Sequence, residues 1–587
     1  MSLTSDISAL ETRGLIHPVV SGAQVEYRFR HALVHEAAYS TLLKQHRREL
    51  HQAVGEVLEA DYGPATEEMA SVLGFHFNEA GDTRRASRYF AAAGAQAARK
   101  YAHHEAISYY SQAIRAVVQP PASLFQARGQ VFDLQGDFEA ARLDFEHSAE
   151  VAQAAGDLPA EWQALLSLGL LWSGRDYDRS GDYCRLAFEL AEKTGQPGLV
   201  ARSYNRLGNW HLNAERPLEA ARCHNQALSI FQFLHDDKGI AETLDLLGMA
   251  SLLGGDLDRG VAYYQQAIDL NRRLDDRLAL AHVMGSQILT ANSGYQTMTL
   301  RPSSMAGADL FAQSEQAVRV MHEIGWRDGE AFLNMIVSFH SQSRGDYARA
   351  LQAGKAGLAI AMDIDHRQWM AGCHYSLGLI HYDLLALPQA RQHLESGLAL
   401  SREIRSQHWT RCHIGILAVV YVECGSPDQA EALLSTASGI RQPPQTLGER
   451  WVTYGHACLA RARGDLDGAL AAVDLLVTAG SSGAPAESVS PIPFLFLLRG
   501  ALYGELGRIA SAEADFRAAI QTSTANRERP LLWRLHKALG QLLEKKALPV
   551  EAAEQFALAR SFVAEMAAGL PDSDLRDNMR RRSGLFD

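Results

Sequence analysis

The sequence predicts an all-α solenoid, a stack of about 13 antiparallel helix pairs that repeat mostly every 39–40 residues. Three observations carry that prediction. A skeleton of small and aromatic residues recurs at fixed spacing along nearly the whole chain. Helix-forming residues fill the intervals, with Gly-Asp or Pro breaks between them. Strand-like alternation is confined to the first thirty residues.

The skeleton is plainest at residues 204–228, YNRLGNWHLNAERPLEAARCHNQAL, where Gly208 is followed by Ala220, His224 and Ala227. The same spacing joins Gly74 to Ala86, Phe90 and Ala93, and Gly94 to Ala106, Tyr110 and Ala113. It returns at Gly129, Gly169 in a looser form, Gly248, Ser338, Gly378, Ala418, Ala457, Gly500 and Gly540. Small residues at these points let neighbouring helix axes approach, and the aromatic fills the space beside them. The first helix of each pair carries the Gly, a turn such as Gly136-Asp137 ends it, and the second carries the Ala and aromatic on one face.

A small residue, then Ala, an aromatic and another Ala resembles the tetratricopeptide (TPR) pattern, over roughly residues 67–565. The TPR period is ordinarily about 34 residues, so the longer spacing implies helices about a turn longer. Leu207-Gly208-Asn209 and the HDDKGIAETLDLLG stretch are similar to the forty-residue TPR repeats of signalling scaffolds and bacterial regulators. The resemblance implies a right-handed superhelix whose first helices line a concave groove.

Taken in order, residues 1–64 lie outside the repeat. A short helix ending at Gly14, a hairpin of Ile16–Val20 with Val25–Phe29, and helical stripes through Leu33, Leu43, Leu50 and Leu58 read as a small winged-helix-like remnant. The stretch YRFRHALVHEAAYSTLLKQHRRELHQAVGEVLE resembles the segment that joins the nucleotide-binding region of bacterial STAND signalling ATPases to their TPR arrays. Such proteins carry class III nucleotide cyclases, kinases or LuxR-type DNA-binding domains. No GxxxxGK[ST] phosphate loop occurs in this chain, so it is not itself the ATPase, and no cyclase, kinase or helix-turn-helix domain is present. Two readings stay open: the C-terminal part of a longer cyclase or ATPase, or a stand-alone sensor arm.

The array is expected over 65–477, with a linker or kink at 478–493, further TPR units at 494–570 and a solvated tail at 571–587. The helix from about 82 to 99 serves two units, because Gly74 and Gly94 are only twenty apart. An insertion of about thirteen residues is expected between Gly285 and Ala317, near ANSGYQTMTLRPSSMAGA.

Hydrophobic residues make up 47% of the chain, ample for a core, and the net charge of −12 argues against a general nucleic-acid binder. Arg28, Arg30, Lys44, Arg47 and Arg48 are interleaved with Glu26, Glu36 and Glu49, which weakens a DNA-binding reading of the N-terminal module. Six scattered cysteines form no CxxC pair, and neither His31 with His35 nor His103-His104 supplies a third ligand, so no metal and no cofactor are expected. With no run of eighteen apolar residues and no signal pattern, the expected location is cytoplasmic.

No nucleophile, base and oxyanion donor can be assembled, so a non-catalytic interaction module is expected. The sharpest site signal is Asn205, Asn209 and Asn213 at i, i+4 and i+8, with Arg202 one turn earlier, on one helix face. Under the TPR resemblance, positions three before and one and five after the small residue point into the groove. Asn there can hold a peptide backbone, and Arg202 a carboxylate. The equivalent places add Asp245, His282, Ser286, Met335, Phe339, Tyr375 and Asp383. The expected partner is a protein segment or small inducer in this groove, together with an ATPase or cyclase domain in cis or trans; the Asn residues equally suit hydrogen bonds inside the array.

Overall fold

The computed structural model describes residues 3–21, 24–62, 68–291, 305, 308–481 and 492–586. These hold 29 α-helices, a short 3-10 segment at Ile288–Ala291 and a single two-stranded sheet. The chain divides into two compact units, Met1–Val131 and Phe132–Asp587.

In the first unit, the strands Ile16–Ser21 and Gln24–Phe29 pair antiparallel, with Ile16 opposite Phe29. Helices Leu3–Thr12, Ala32–Thr41 and Lys44–Tyr62 surround this hairpin in sequence, and Ala70–Ala80, Thr83–Arg99 and His103–Ala116 follow. Both Gly74 and Gly94 meet an aromatic sixteen residues on, Phe90 and Tyr110, so the Thr83–Arg99 helix packs on two neighbours at once. Arg28 pairs with Glu26 at 3.5 Å, and the Arg47 guanidinium lies over the Tyr39 ring.

The second unit is a regular stack. First helices begin at Pro197, Asp237, Arg277, Arg327, Arg367, Gln407 and Leu447, forty residues apart except for fifty between Arg277 and Arg327. The repeat is made by one contact: a Cβ on Gly248 would stand 2.6 Å from the Tyr264 ring, and the equivalent Gly208 faces His224. At Gly208 and Gly248 only a residue without a side chain lets the pair close on its imidazole or aromatic. Many helices start after an Asp whose carboxylate accepts from the third helical N–H, as Asp157 and Asp236 do on first helices and Asp137, Asp256 and Asp346 on second helices. The Gly-Asp and His-Asp-Asp punctuation of the sequence is therefore a set of caps.

Long-range contacts show how tightly the stack winds. Gln368 N donates to Gly174 O at 3.0 Å, and Tyr177 N to Ile404 O at 3.2 Å. Arg175 donates to the Ile364 carbonyl, and Arg405 pairs with Asp178. One pair further on, Glu215 accepts from Arg411 Nη1 at 2.6 Å, Thr446 Oγ1 at 2.7 Å and Gly448 N at 2.9 Å. The pair beginning at Arg367 thus rests on the pair beginning at Leu158, five pairs earlier. Farther along, Arg344 Nη1 donates to Asn526 O at 2.6 Å and Asn578 Nδ2 to Leu384 O at 2.9 Å. Successive turns of the stack touch along this seam.

The expected solvated tail folds instead. Helix Ser573–Ser583 buries Leu575 and Met579 against a cluster containing Tyr347, Leu377 and Trp533. Its polar composition hid two apolar residues at i and i+4, enough to dock one face. Most of the 478–493 segment and nearly all of the 291–308 insertion lie outside the described residues. Among the described residues, no helix is long and apolar enough to cross a membrane.

Candidate functional site

The first helices of the second unit, with Phe138, Ser180, Cys184 and Asn271 of second helices, line a partly open cavity of about 690 Å³. That is the size range of small-molecule and short-peptide sites. On two adjacent first helices the lining follows one stripe. Counting from the helix start, residues 5, 9, 12 and 16 on face inward: Arg202, Arg206, Asn209 and Asn213 on one helix, and Glu242, Leu246, Met249 and Leu253 on the next.

Of the residues singled out from sequence, Arg202, Asn209, Asn213, Asp245, His282, Ser286 and Met335 line this cavity. Asn205 does not. It is fully buried, where its Nδ2 donates to Thr243 Oγ1 at 2.8 Å and its Oδ1 meets His224 Nδ1 at 3.2 Å. Burial lowers the His224 pKa to about 3, so the ring is neutral and donates to the amide. Asn205 therefore ties one repeat to the next. Phe339 and Tyr375 are core residues, Tyr375 edge-on to Trp409 at 5.9 Å. Asp383 accepts from Gln342 and pairs with Arg534 at 3.4 Å, inside a contact with a later turn.

Sequence reading did not single out the aromatic wall. The ring centroids of His282 and Phe332 are 5.5 Å apart and stacked, those of Phe332 and Trp369 are 4.8 Å apart, and His366 stacks on Trp369 at 5.2 Å and 7°. Trp326 lies 5.6 Å from His282 on the other side. These rings sit near the N-terminal ends of first helices, away from the small-residue skeleton. Asp328 joins the wall by accepting from the Trp369 indole and from His366 Nε2 at 3.3 Å.

Most cations of the lining have an anion. Arg202 pairs with Asp236 at 3.2 Å, Arg206 with Glu242, and Arg175 with Asp365 at 3.7 Å. Burial alone would lower the His282 pKa, but Asp245, 3.1 Å away, raises it above its ordinary value. Burial lowers the pKa of His366. Among the described residues, no group of three His, Cys, Asp or Glu side chains could hold a metal ion.

A family model described as tetratricopeptide repeat matches residues 241–273. Those residues span the Gly248–Tyr264 contact. The fold is a TPR-like helical repeat. No curated protein matches. Among solved structures, a tetratricopeptide repeat protein from Parabacteroides merdae ATCC 43184 is similar at 16% identity and a TM-score of 0.29, over 46% of this chain and 91% of that one. A Rap protein complexed with competence and sporulation factor is similar at 13% identity and a TM-score of 0.38, over 69% and 98%. The APC/C hetero-tetramer Cut9–Hcn1 is similar at 13% identity and a TM-score of 0.29, over 85% and 96%.

Proposed function

We propose that this chain is a non-catalytic sensor arm that holds a small inducer or a short protein segment in this cavity. The observation that carries the reading is the cavity itself: about 690 Å³, walled by aromatic rings and by hydrogen-bonding side chains from several first helices. A ligand touching several repeats at once stabilises the wound form over a looser one by its differential affinity, which is how a solenoid turns binding into a change of state. The resemblance of residues 27–59 to the joining segment of STAND ATPases supports assigning that response to a signalling ATPase or cyclase partner, in cis or in trans.

Fractionated extract from the native cell provides the test. A fraction containing the ligand raises the melting temperature of the wild-type chain and leaves that of an Asn209→Ala, Asn213→Ala variant unchanged. Equal shifts in both proteins would remove the lumen from the proposal.

A further inference from the structure

The geometry points to an organic cation, an ammonium group carried on an apolar or aromatic body, as the ligand class of this lumen, with Asp133 as its counter-charge and the Trp326, Phe332 and Trp369 rings as its seat. This rests on reading the lumen as a ligand site.

Charge pairing around the cavity singles out Asp133. Of the acids that line the cavity, Glu242 is paired with Arg206, Asp245 with His282, and Asp276 caps the Ala279 N–H. Asp328 is held by the Trp369 and His366 nitrogens, both neutral donors. Asp133 differs from all of these, because among the described residues its carboxylate accepts no hydrogen bond and makes no ion pair, though it lines the cavity. Two charged groups act on it from the packed elements: Asp328 repels it and Arg175 attracts it. Arg175 donates to the Ile364 carbonyl, lies over the face of Phe138 at 3.9 Å and reaches Asp365 at 3.7 Å, so it offsets the Asp133 charge without bonding to it. The cations on the lining are likewise spent, apart from Lys238, which lies exposed to solvent.

A carboxylate left without a partner beside another carboxylate is expensive to keep ionised. Burial first and Asp328 second push the Asp133 pKa up to about 7. An ammonium group placed there would gain a charge-assisted bond to Asp133 and the faces of electron-rich rings, whereas an anion would meet two acids. A neutral apolar ligand would use the rings and gain nothing from Asp133.

Three probes with the same ring separate these cases: phenethylamine, 2-phenylethanol and phenylacetate, titrated against the full chain by calorimetry and tryptophan fluorescence. Phenethylamine is expected to bind at least tenfold more tightly than the alcohol, and phenylacetate more weakly than either. Its affinity should rise about tenfold from pH 6 to pH 8 as Asp133 ionises. The Asp133→Asn variant, folded by circular dichroism, should lose most of the preference for phenethylamine over the alcohol and most of that pH dependence, leaving only what Asp328 and His282 supply. Phe-Gly-Gly with a free or acetylated amino terminus then distinguishes a peptide source of the ammonium from a free amine: a loss on acetylation with affinity above that of phenethylamine assigns it to a peptide, and weaker binding of both tripeptides to a small amine. No binding by phenethylamine, a preference for phenylacetate, or an unchanged preference in Asp133→Asn would overturn the inference. If extract fractions still stabilise the wild type through Asn209 and Asn213, the sensor reading survives that failure.

Discussion

At the scale of single residues, the second unit separates side chains that hold repeats together from side chains left facing the lumen. Asn205 and Asn209 are one helical turn apart, yet Asn205 is spent on Thr243 and His224 while Asn209 lines the cavity. Asn205→Ala should therefore destabilise, by about 1–3 kcal/mol for the orphaned buried Thr243 and His224 groups, whatever the ligand state; chemical denaturation measures it. Asp133 predicts the opposite sign. Its folded pKa lies above that of the unfolded chain, so the folded state binds more protons, and its contribution to stability falls as pH rises from about 4 to about 7. Asp133→Asn should raise the melting temperature of the unliganded chain at pH 8, by about 1–3 °C, and change little at pH 4. His282 obeys the reverse rule: its raised pKa adds stability below its unfolded value, and that addition is lost as pH rises through the folded one. An NMR titration should place His282 above the ordinary histidine range in the wild type and below it in Asp245→Asn, where burial alone acts.

The element that repeats is a helix pair closed on one glycine contact. Replacing Gly248 by Leu drives a side chain into Tyr264, which stands 2.6 Å from even a Cβ, and overpacking of that kind costs about 1–3 kcal/mol or more. In a one-dimensional array the loss falls at one interface, so calorimetry should show the single transition split in two. This contact was legible in the sequence because it recurs at fixed spacing, and so were the helix pairs and the shared Thr83–Arg99 helix. The register failed at one place. First helices begin at 197, 237 and 277, which puts Ile288, not Gly285, in the position of Gly208 and Gly248. With no small residue at 288 to mark it, Gly285 was the nearest substitute, yet a Cβ there would run into Leu333 of another first helix. The insertion is accordingly ten residues over the forty-residue spacing, not thirteen. The aromatic wall escaped sequence reading for a related reason, since Trp326, Phe332 and Trp369 share no offset from the skeleton. Consecutive first helices bring them together by packing side by side, with no help from the winding of the stack.

That winding is the property of the molecule that local pattern conceals. Five pairs complete a turn, and the contacts that seal it join residues about 190–230 apart, as Arg175 with Ile364 and Glu215 with Thr446. Close approach at this seal requires glycine: a side chain on Gly174 would overlap the His366 ring, and one on Gly448 the Glu215 carboxylate. Neither carries the repeat signature, so nothing in the sequence marks them. Arg411 and Glu215 are both buried at the seal, and removing one charge strands the other at a cost of about 3–5 kcal/mol. Arg411→Ala should open the seal between turns before the repeats themselves melt, seen as faster amide exchange at 215 and 446–448 with the Gly248–Tyr264 region unchanged.

Hydrogen–deuterium exchange across the whole chain, with and without a saturating stabilising extract fraction, tests the lumen as the working site most directly. The account predicts slowed exchange in the first helices Pro197–Asn213, Asp237–Leu253 and Arg327–Ser343 and at the Gly174–Gln368 and Glu215–Gly448 seals, with second helices unaffected. Protection confined to second helices or to Met1–Val131 would contradict it.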